Sequence, residues 1–324
     1  MRLRLTLCSV SIAMCLSIGS GFAQDSATTF PDRNITMIVP FAAGGQVDII
    51  ARITAQAMSE EIGKTVVVEN KGGAAGAIGA AYVARSAPDG YTLLAIDISF
   101  LAAPNIQAQS GYKVSDFRMV GPSTRSVLAF VVNPSNPAKD LPDFISRSLK
   151  AQEDVPFAHS GLGSTPQLAV LSFLNATKIK PLMVSYSGMA PAIADITANR
   201  IHAGFIGAAA AAGLAKDKMV KLFGVTGNRR VGSAPDTPTF NELNIKLAGF
   251  EQGTWYGVAV PAKTPDAVVA KLNAALSRAL SKSTVAAQLA PLDVYPWTTG
   301  SADFEKFVEG QAEHWKQQLA NVKK

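Results

Sequence analysis

The groups best placed to do chemistry in this chain are backbone amides. Two segments share one plan: a short apolar run, a glycine turn, then a helical pattern. The first is Ile38–Asp48 (IVPFAAGGQVD), with its turn at Gly44-Gly45. The second is Phe157–Gln167 (FAHSGLGSTPQ), with glycines at 161 and 163. Thr165 is a good N-cap and Pro166 suits the first helical position. Such turns aim free N–H groups at whatever sits above the helix start, where the helix dipole favours an anion. Glycine lets the backbone approach a ligand with no Cβ in the way. In an α/β sheet this place is the carboxyl edge of the strands, where ligands usually bind. Taken alone, each turn is equally consistent with a tight connection.

Side-chain chemistry is sparse. His159, His202 and His314 are not paired at metal-ligand spacing, and no G-x-S-x-G elbow occurs. His159 and Ser160 are adjacent on a strand and point to opposite faces, so His159 reads as a strand-end or crossing contact. Asp48, in a first helical turn, reads as a dipole or capping residue before it reads as a base. Lys71–Gly79 (KGGAAGAIG) spaces its glycines as Gly73-x-x-Gly76-x-x-Gly79, which is not the dinucleotide pattern. Gly63-Lys64-Thr65 ends like a P-loop, but Met58 stands at the first glycine position and a strand follows. No catalytic set, metal or cofactor is expected.

Asp97 follows the apolar run Tyr91–Ile96 and has two readings. It caps a neighbouring helix or pairs with a cation such as Arg125. Alternatively it faces a ligand cleft and accepts a hydrogen bond from the ligand's far end, which favours a monocarboxylate with a polar donor over a dianion.

The elements that must position these groups alternate. Ile35–Phe41, Thr65–Glu69, Tyr91–Ile96, Ser126–Val132, Leu182–Tyr186, Lys221–Val225 and Thr254–Val260 read as strands. Several are apolar throughout, as in sheets covered on both faces. Val47–Ile62, Pro265–Ser281 and Ser301–Val322 carry helical spacing, and the alanine run 208–212 reads as a helix start. The expected fold class is α/β with mostly parallel sheets. At 324 residues the chain suits two lobes. One crossing between them is expected within Phe117–Pro134 and a second near Gly227–Pro238. That places lobe one at 24–125 and 233–324 and lobe two at 126–232.

The first 23 residues read as a secretory signal: Arg2 and Arg4, an apolar stretch from Leu5 to Ile18, then Gly21-Phe22-Ala23, with cleavage near Ala23. Its apolar core is shorter than a membrane span needs. Both cysteines, Cys8 and Cys15, lie within it, so disulfides and thiol chemistry drop out of the mature chain. Loss of Arg2 and Arg4 takes the formal charge from +6 to +4. The basic residues are scattered, which suits a small anionic ligand and gives no nucleic-acid stripe.

Beyond these patterns, the chain resembles the tripartite tricarboxylate transporter receptors, often called Bug proteins. The segments that carry the resemblance are ITMIVPFAAGGQVDIIAR (35–52), VVVENKGGAAGAIG (66–79), APDGYTLL (87–94) and FVVNPSNPAKDL (130–141). SGLGSTPQL (160–168), YSGMAPAIAD (186–195), APDTPTFNE (234–242) and 255–273 continue it. The resemblance implies a periplasmic receptor with a type II-like, two-lobed α/β fold that closes on its ligand. It implies that the loops Phe41–Asp48 and Ser160–Gln167 face each other and hold a ligand carboxylate by backbone N–H groups, small hydroxyls and waters. The binding set expected on this footing is Phe41, Ala43, Gly44, Gly45 and Asp48 from the first loop, and Ser160, Gly161, Gly163, Ser164 and Thr165 from the second. Asp97 and Ser99, Tyr186, Gly188 and Asp195 of a cleft wall, and Phe205 complete it. Gln167 stands where the family commonly has His, His202 where Asp is usual, and Asp97-Ile98-Ser99 where Thr and Gly are common. These departures bear on ligand identity.

The leading expectation is therefore a receptor, working as a monomer, that delivers a small organic carboxylate to integral membrane transporter subunits, with no nucleic-acid partner. A sensory receptor using the same cleft is the alternative. An enzyme on this fold would need a nucleophile–base or metal set that the sequence does not show.

Overall fold

The computed structural model describes residues 30–107, 109–151 and 153–320; the expected signal segment and its cleavage near Ala23 lie outside them. Strand β1 (Ile35–Val39) shows why the strands are apolar throughout. Ile35, Met37 and Val39 pack under helix α1 (Gln46–Ile62) with Ile50, Ala51 and Met58. Ile38 points the other way, onto Ala77 and Ala80 of α2 (Ala77–Ala84). A strand covered on both faces has no position for a polar side chain.

Two mixed sheets result. The first runs β11 (Val294–Pro296), β4 (Phe117–Ser126), β10 (Thr254–Pro261), β3 (Thr92–Asp97), β1, β2 (Val66–Asn70). The second runs β7 (Pro181–Ser185), β6 (Val155–His159), β8 (Ala203–Gly207), β5 (Leu128–Val132), β9 (Lys221–Val225). In each, one trio is parallel: β2, β1 and β3 in the first, β7, β6 and β8 in the second. The other pairings are antiparallel, a departure from the mostly parallel sheets expected. The cause is topological, because strands linking the two sheets enter against the grain of each parallel trio. Helices α3 (Ser99–Ile106) and α5 (Thr165–Thr177) follow β3 and β6, and α10 (Ser301–Leu319) closes the described chain. Strands β8 and β11 were not expected. β8 (AGFIG) carries two glycines, and Gly204 is needed because Ile196 Cδ1 would lie 3.2 Å from any Cβ there.

The chain passes from the first sheet to the second at Val127, between β4 and β5. The return is later than expected. Past 227–238 the chain still pairs with β9: the Val225 amide donates to Pro238 O at 2.9 Å and the Phe240 amide to Val225 O at 3.0 Å. Phe240 then sits among Phe130, Phe173 and Phe205, at ring-centroid distances of 6.4, 6.0 and 5.7 Å. Only at Gly253, beside Ser126, does the chain re-enter the first sheet. Gly253 has φ 82°, and a Cβ there would collide with the Ser126 carbonyl oxygen. We therefore propose lobes divided at Val127 and Gly253 in place of the boundary near residue 233. Phe205 also changes role. It is fully buried in this aromatic cluster and does not reach a cleft, because alternate residues of β8 face the core.

Phe240→Ala and Phe205→Ala are each expected to cost about 3–5 kcal/mol of stability. Their effects should be non-additive, since the rings touch. Urea unfolding of both single variants and the double variant checks this. A near-silent Phe240→Ala would remove residues 239–250 from the second lobe's core.

Candidate functional site

The first glycine loop is held from below. Gly45 is the N-cap of α1 and Gly44 adopts φ 82°. The first intrahelical bond is Ile49 N–H to Gly45 O, so the amides of Gln46, Val47 and Asp48 precede the helical ladder. The side chain of Asp48 turns back under the loop. Its Oδ2 accepts from the Gly44 amide at 2.8 Å and from Arg52 Nε at 3.0 Å, and its Oδ1 accepts from Asn70 Nδ2 at 2.8 Å. Asn70 also donates to Phe41 O at 3.1 Å. Burial raises the cost of the Asp48 charge, but Arg52, the Gly44 amide and Asn70 outweigh it and hold its carboxyl below the usual range. Asp48 thus shapes the loop, and both its oxygens are taken by protein donors. The glycines of 71–79 have packing roles. A Cβ on Gly79 would come within 2.9 Å of Pro40 Cα, and one on Gly72 within 3.2 Å of the Ala42 nitrogen.

The second loop repeats the device. Gly161 and Gly163 adopt φ 109° and 90°, and Ser164 is the N-cap of α5. The Gly163 amide donates to Gln167 Oε1 at 2.6 Å, four residues ahead, as Gly44 donates to Asp48. Here a neutral amide replaces the carboxylate. His159 Nδ1 lies 3.0 Å from Gly161 O, so it braces the loop from the strand end, and burial lowers its basicity. The Ser164 hydroxyl is buried and has no partner among the described residues.

The two loops belong to different sheets, and the second is tied to the end of β3 beside the first. Thr165 Oγ1 donates to Asp97 Oδ2 at 2.8 Å across the seam. Asp97 Oδ1 accepts from the Ser99 amide at 3.1 Å and from the Ser99 hydroxyl, which caps α3. Both Asp97 oxygens thus accept from protein donors, one at the start of α3 and one on the second loop. Arg125 is not its partner; it lies 4.1 Å over the Trp297 ring and bonds Gln252. Burial pushes the Asp97 carboxyl up, partly offset by Ser99 and Thr165.

Sequence reasoning missed two further links. Gln46 Nε2 donates to Ser126 Oγ at 2.7 Å, and its Oε1 would lie 3.3 Å from a Cβ on Gly207 at the end of β8. Gln107 Nε2 bridges Ala74 O at 2.9 Å and Leu162 O at 3.3 Å, from the first-sheet side to the second loop. The bracing by Gln167 was legible in principle, because it repeats the Gly44–Asp48 spacing; the long glutamine reaches were not.

Around this seam, Phe41 is half-buried and Ala43, Gly44 and Gly45 are exposed, while Ser160 and Gly161 are half-buried. Beyond β7, Tyr186 donates to Asp195 Oδ2 at 2.7 Å and Arg200 pairs with Oδ1 at 2.9 Å. Burial and Asp195 push the Tyr186 hydroxyl up to about 12. Both Asp195 oxygens are therefore occupied, and Gly188 follows as the N-cap of the helix Met189–Thr197. Among the described residues no group of His, Cys, Asp and Glu is placed to hold a metal, and no helix is long and apolar enough to cross a membrane.

Asp48→Ala strands the Gly44 amide, Asn70 and Arg52 and is expected to cost about 1–3 kcal/mol at neutral pH. Because the folded Asp48 carboxyl lies below its unfolded value, its contribution is present above that value and is lost as pH falls through the folded one. The stability gap between wild type and Asp48→Ala should therefore shrink on acidification through the carboxylate range. Urea titrations at stepped pH measure it; a constant gap would exclude an ionised brace.

Comparison with known proteins gives a consistent answer. The profile described as tripartite tricarboxylate transporter family receptor matches residues 50–323. A UPF0065 protein of Agrobacterium vitis is 34% identical, covering 85% of this chain and 78% of its own. The structure of the periplasmic binding protein BugD aligns with TM-score 0.79 at 30% identity, covering 91% of this chain and 99% of that one. MatC from Rhodopseudomonas palustris, solved with malate, aligns with TM-score 0.79 at 30% identity over 90% of this chain and all of that one, 100%. A second R. palustris protein, solved with adipate, gives 0.80 at 28% identity over 90% and 97%. The paired glycine loops sit on a two-sheet α/β frame shared with these solute-binding proteins, and the chain belongs to the tripartite tricarboxylate transporter receptor family.

Proposed function

We propose that the protein is a periplasmic receptor that closes its two lobes on a small organic carboxylate and delivers it to integral membrane transporter subunits. One observation carries this reading: two helix N-termini on different sheets are each entered through a braced glycine loop, and the second is tied to the first sheet by Thr165 and Asp97. Free amides at Gly45–Asp48 and the unpartnered Ser164 hydroxyl supply donors to an anion without presenting a cation. The malate- and adipate-bound relatives support a carboxylate as the ligand class. Membership of a receptor family supports a binding role over an enzymatic one. Of the residues expected to bind, Gly44, Gly45, Ser160, Gly161, Gly163, Ser164 and Thr165 form the grip in this reading. Phe41, Ala43 and Ser99 flank it, Tyr186 and Gly188 form its wall, and Asp48 and Asp195 act through neighbours.

Gly45 provides the test. Its φ is −74°, open to any residue, and a Cβ there meets nothing closer than Ala42 O at 3.5 Å. Gly45→Val should therefore fold normally while projecting a side chain where the anion must sit. Loss of one charge-assisted hydrogen bond costs about 1.5–3 kcal/mol, or roughly tenfold to a hundredfold in Kd. Ser164→Ala should cost less, because one hydroxyl is lost and the backbone approach is kept. Calorimetry with a co-purified acid, identified by native mass spectrometry, reads both. Unchanged affinity in a folded Gly45→Val would refute the placement.

Closure is the second test. Scattering should show a smaller radius of gyration with ligand, the lobes turning about Val127 and Gly253. Superimposable curves at saturation would count against a clamp.

A further inference from the structure

Asp97 places a fixed carboxylate inside the seam, and its consequence rests on the carboxylate-receptor reading above. It is 5% exposed. Among the described residues none of its hydrogen-bond partners is a cation: it is held by the Ser99 amide, the Ser99 hydroxyl and Thr165. Opposite it on β10 stands Tyr256, and Tyr112 is near; both hydroxyls are pushed up by burial first and by Asp97 second, so they stay neutral. The nearest cation that sequence spacing suggested, Arg125, is spent on Trp297 and Gln252. Thr165 adjoins Ser164, the buried hydroxyl with no partner among the described residues. Thr165, which bonds Asp97, follows Ser164 directly in the chain, so an anion gripped at Ser164 shares the seam with the Asp97 carboxyl.

We infer that Asp97 sets the charge this cleft accepts: it selects acids that bring one negative charge and rejects those that bring two. The gripped carboxylate is stabilised by amides, a hydroxyl and helix dipoles, and bears one repulsion from Asp97. A second ligand carboxylate enclosed in the same cleft bears another, with no cation to offset it. At an effective dielectric near 20, a second unit charge about 7 Å from Asp97 weakens binding by about tenfold to a hundredfold. The far end of the ligand is then an amide, hydroxyl or ammonium. This separates the chain from its malate- and adipate-bound relatives within the same fold.

The test uses diacids and their own half-amides, which keep length and shape and remove one charge: succinate with succinamate, adipate with adipamate, terephthalate with its half-amide. Kd values are measured by calorimetry for wild type, Asp97→Asn and Asp97→Ser, two variants so that one folding failure does not end the test. Wild type should bind each half-amide about tenfold to a hundredfold more tightly than its diacid. Both variants should gain more affinity for the diacid than for the half-amide, which a structural role in capping α3 would not produce. A wild type that prefers the diacids, or a preference for half-amides that neither variant reduces, overturns the inference while leaving the receptor reading intact. Binding of none of these acids by any of the three proteins counts against the carboxylate reading, and the inference falls with it.

Discussion

An anion leaving water needs several donors at once, and backbone amides are the most compact supply. They serve only if the chain holds them pointing outward in a conformation it would not otherwise choose. Here that constraint is met twice by the same bond, from a glycine amide in a left-handed conformation to a side chain four residues on: Gly44 to Asp48 and Gly163 to Gln167. Each bond removes one amide from the free set and fixes the neighbours that remain. The first brace is ionic and is itself held by Arg52 and Asn70. The second is neutral and is backed by His159 on the strand end. The loops thus share geometry but differ in charge, so the second loop adds no negative charge to the grip beyond that of Asp97.

The chain crosses between sheets at Val127 and again at Gly253. The crossings are adjacent, with Gly253 against the Ser126 carbonyl and Leu128 N–H bonded to Thr226 Oγ1 at 2.9 Å. The linking strands run antiparallel to the parallel trios, so each sheet is mixed.

Most of the frame was readable from residues because it obeys one-dimensional rules. The apolar runs at 35–41 and 221–225 and the helical spacing of 47–62 and 265–281 match the observed elements to within two residues at each end. Both glycine loops were readable as well, since a strand, glycine turn and helix start are local features. What failed was long-range. The segment 227–238 has the composition of a crossing, yet the anchors that decide its allegiance, Phe240, Leu247 and Phe250, come afterwards and act by packing. Phe205 was misplaced for the same reason, because strand alternation assigns a face only once the core side is known. The seam partner of Asp97, Thr165, is 68 positions away, and no spacing rule pairs them.

The contacts across the lobes differ in kind on the two sides of the crossings, and this sets how the molecule can move. On the back, Phe250 packs edge-on to Trp315 at 5.7 Å and Asn175 Nδ2 donates to Gln318 Oε1 at 2.9 Å. This is apolar area with polar support, and separating it exposes surface to water. On the cleft side the links include two polar contacts, Thr165 to Asp97 and Gln107 to Leu162, beside Ile106 and Ala102 against Gly163. Water replaces such bonds at a net cost near 1 kcal/mol each, because it donates and accepts as well as the protein does. In the proposed clamp, opening about Val127 and Gly253 breaks these polar links. It rehydrates Asp97, whose burial is unfavourable when charged, so the empty receptor gains from opening what the closed one loses at that residue. A bound acid must supply the difference, and one that brings extra negative charge to the same seam supplies less of it.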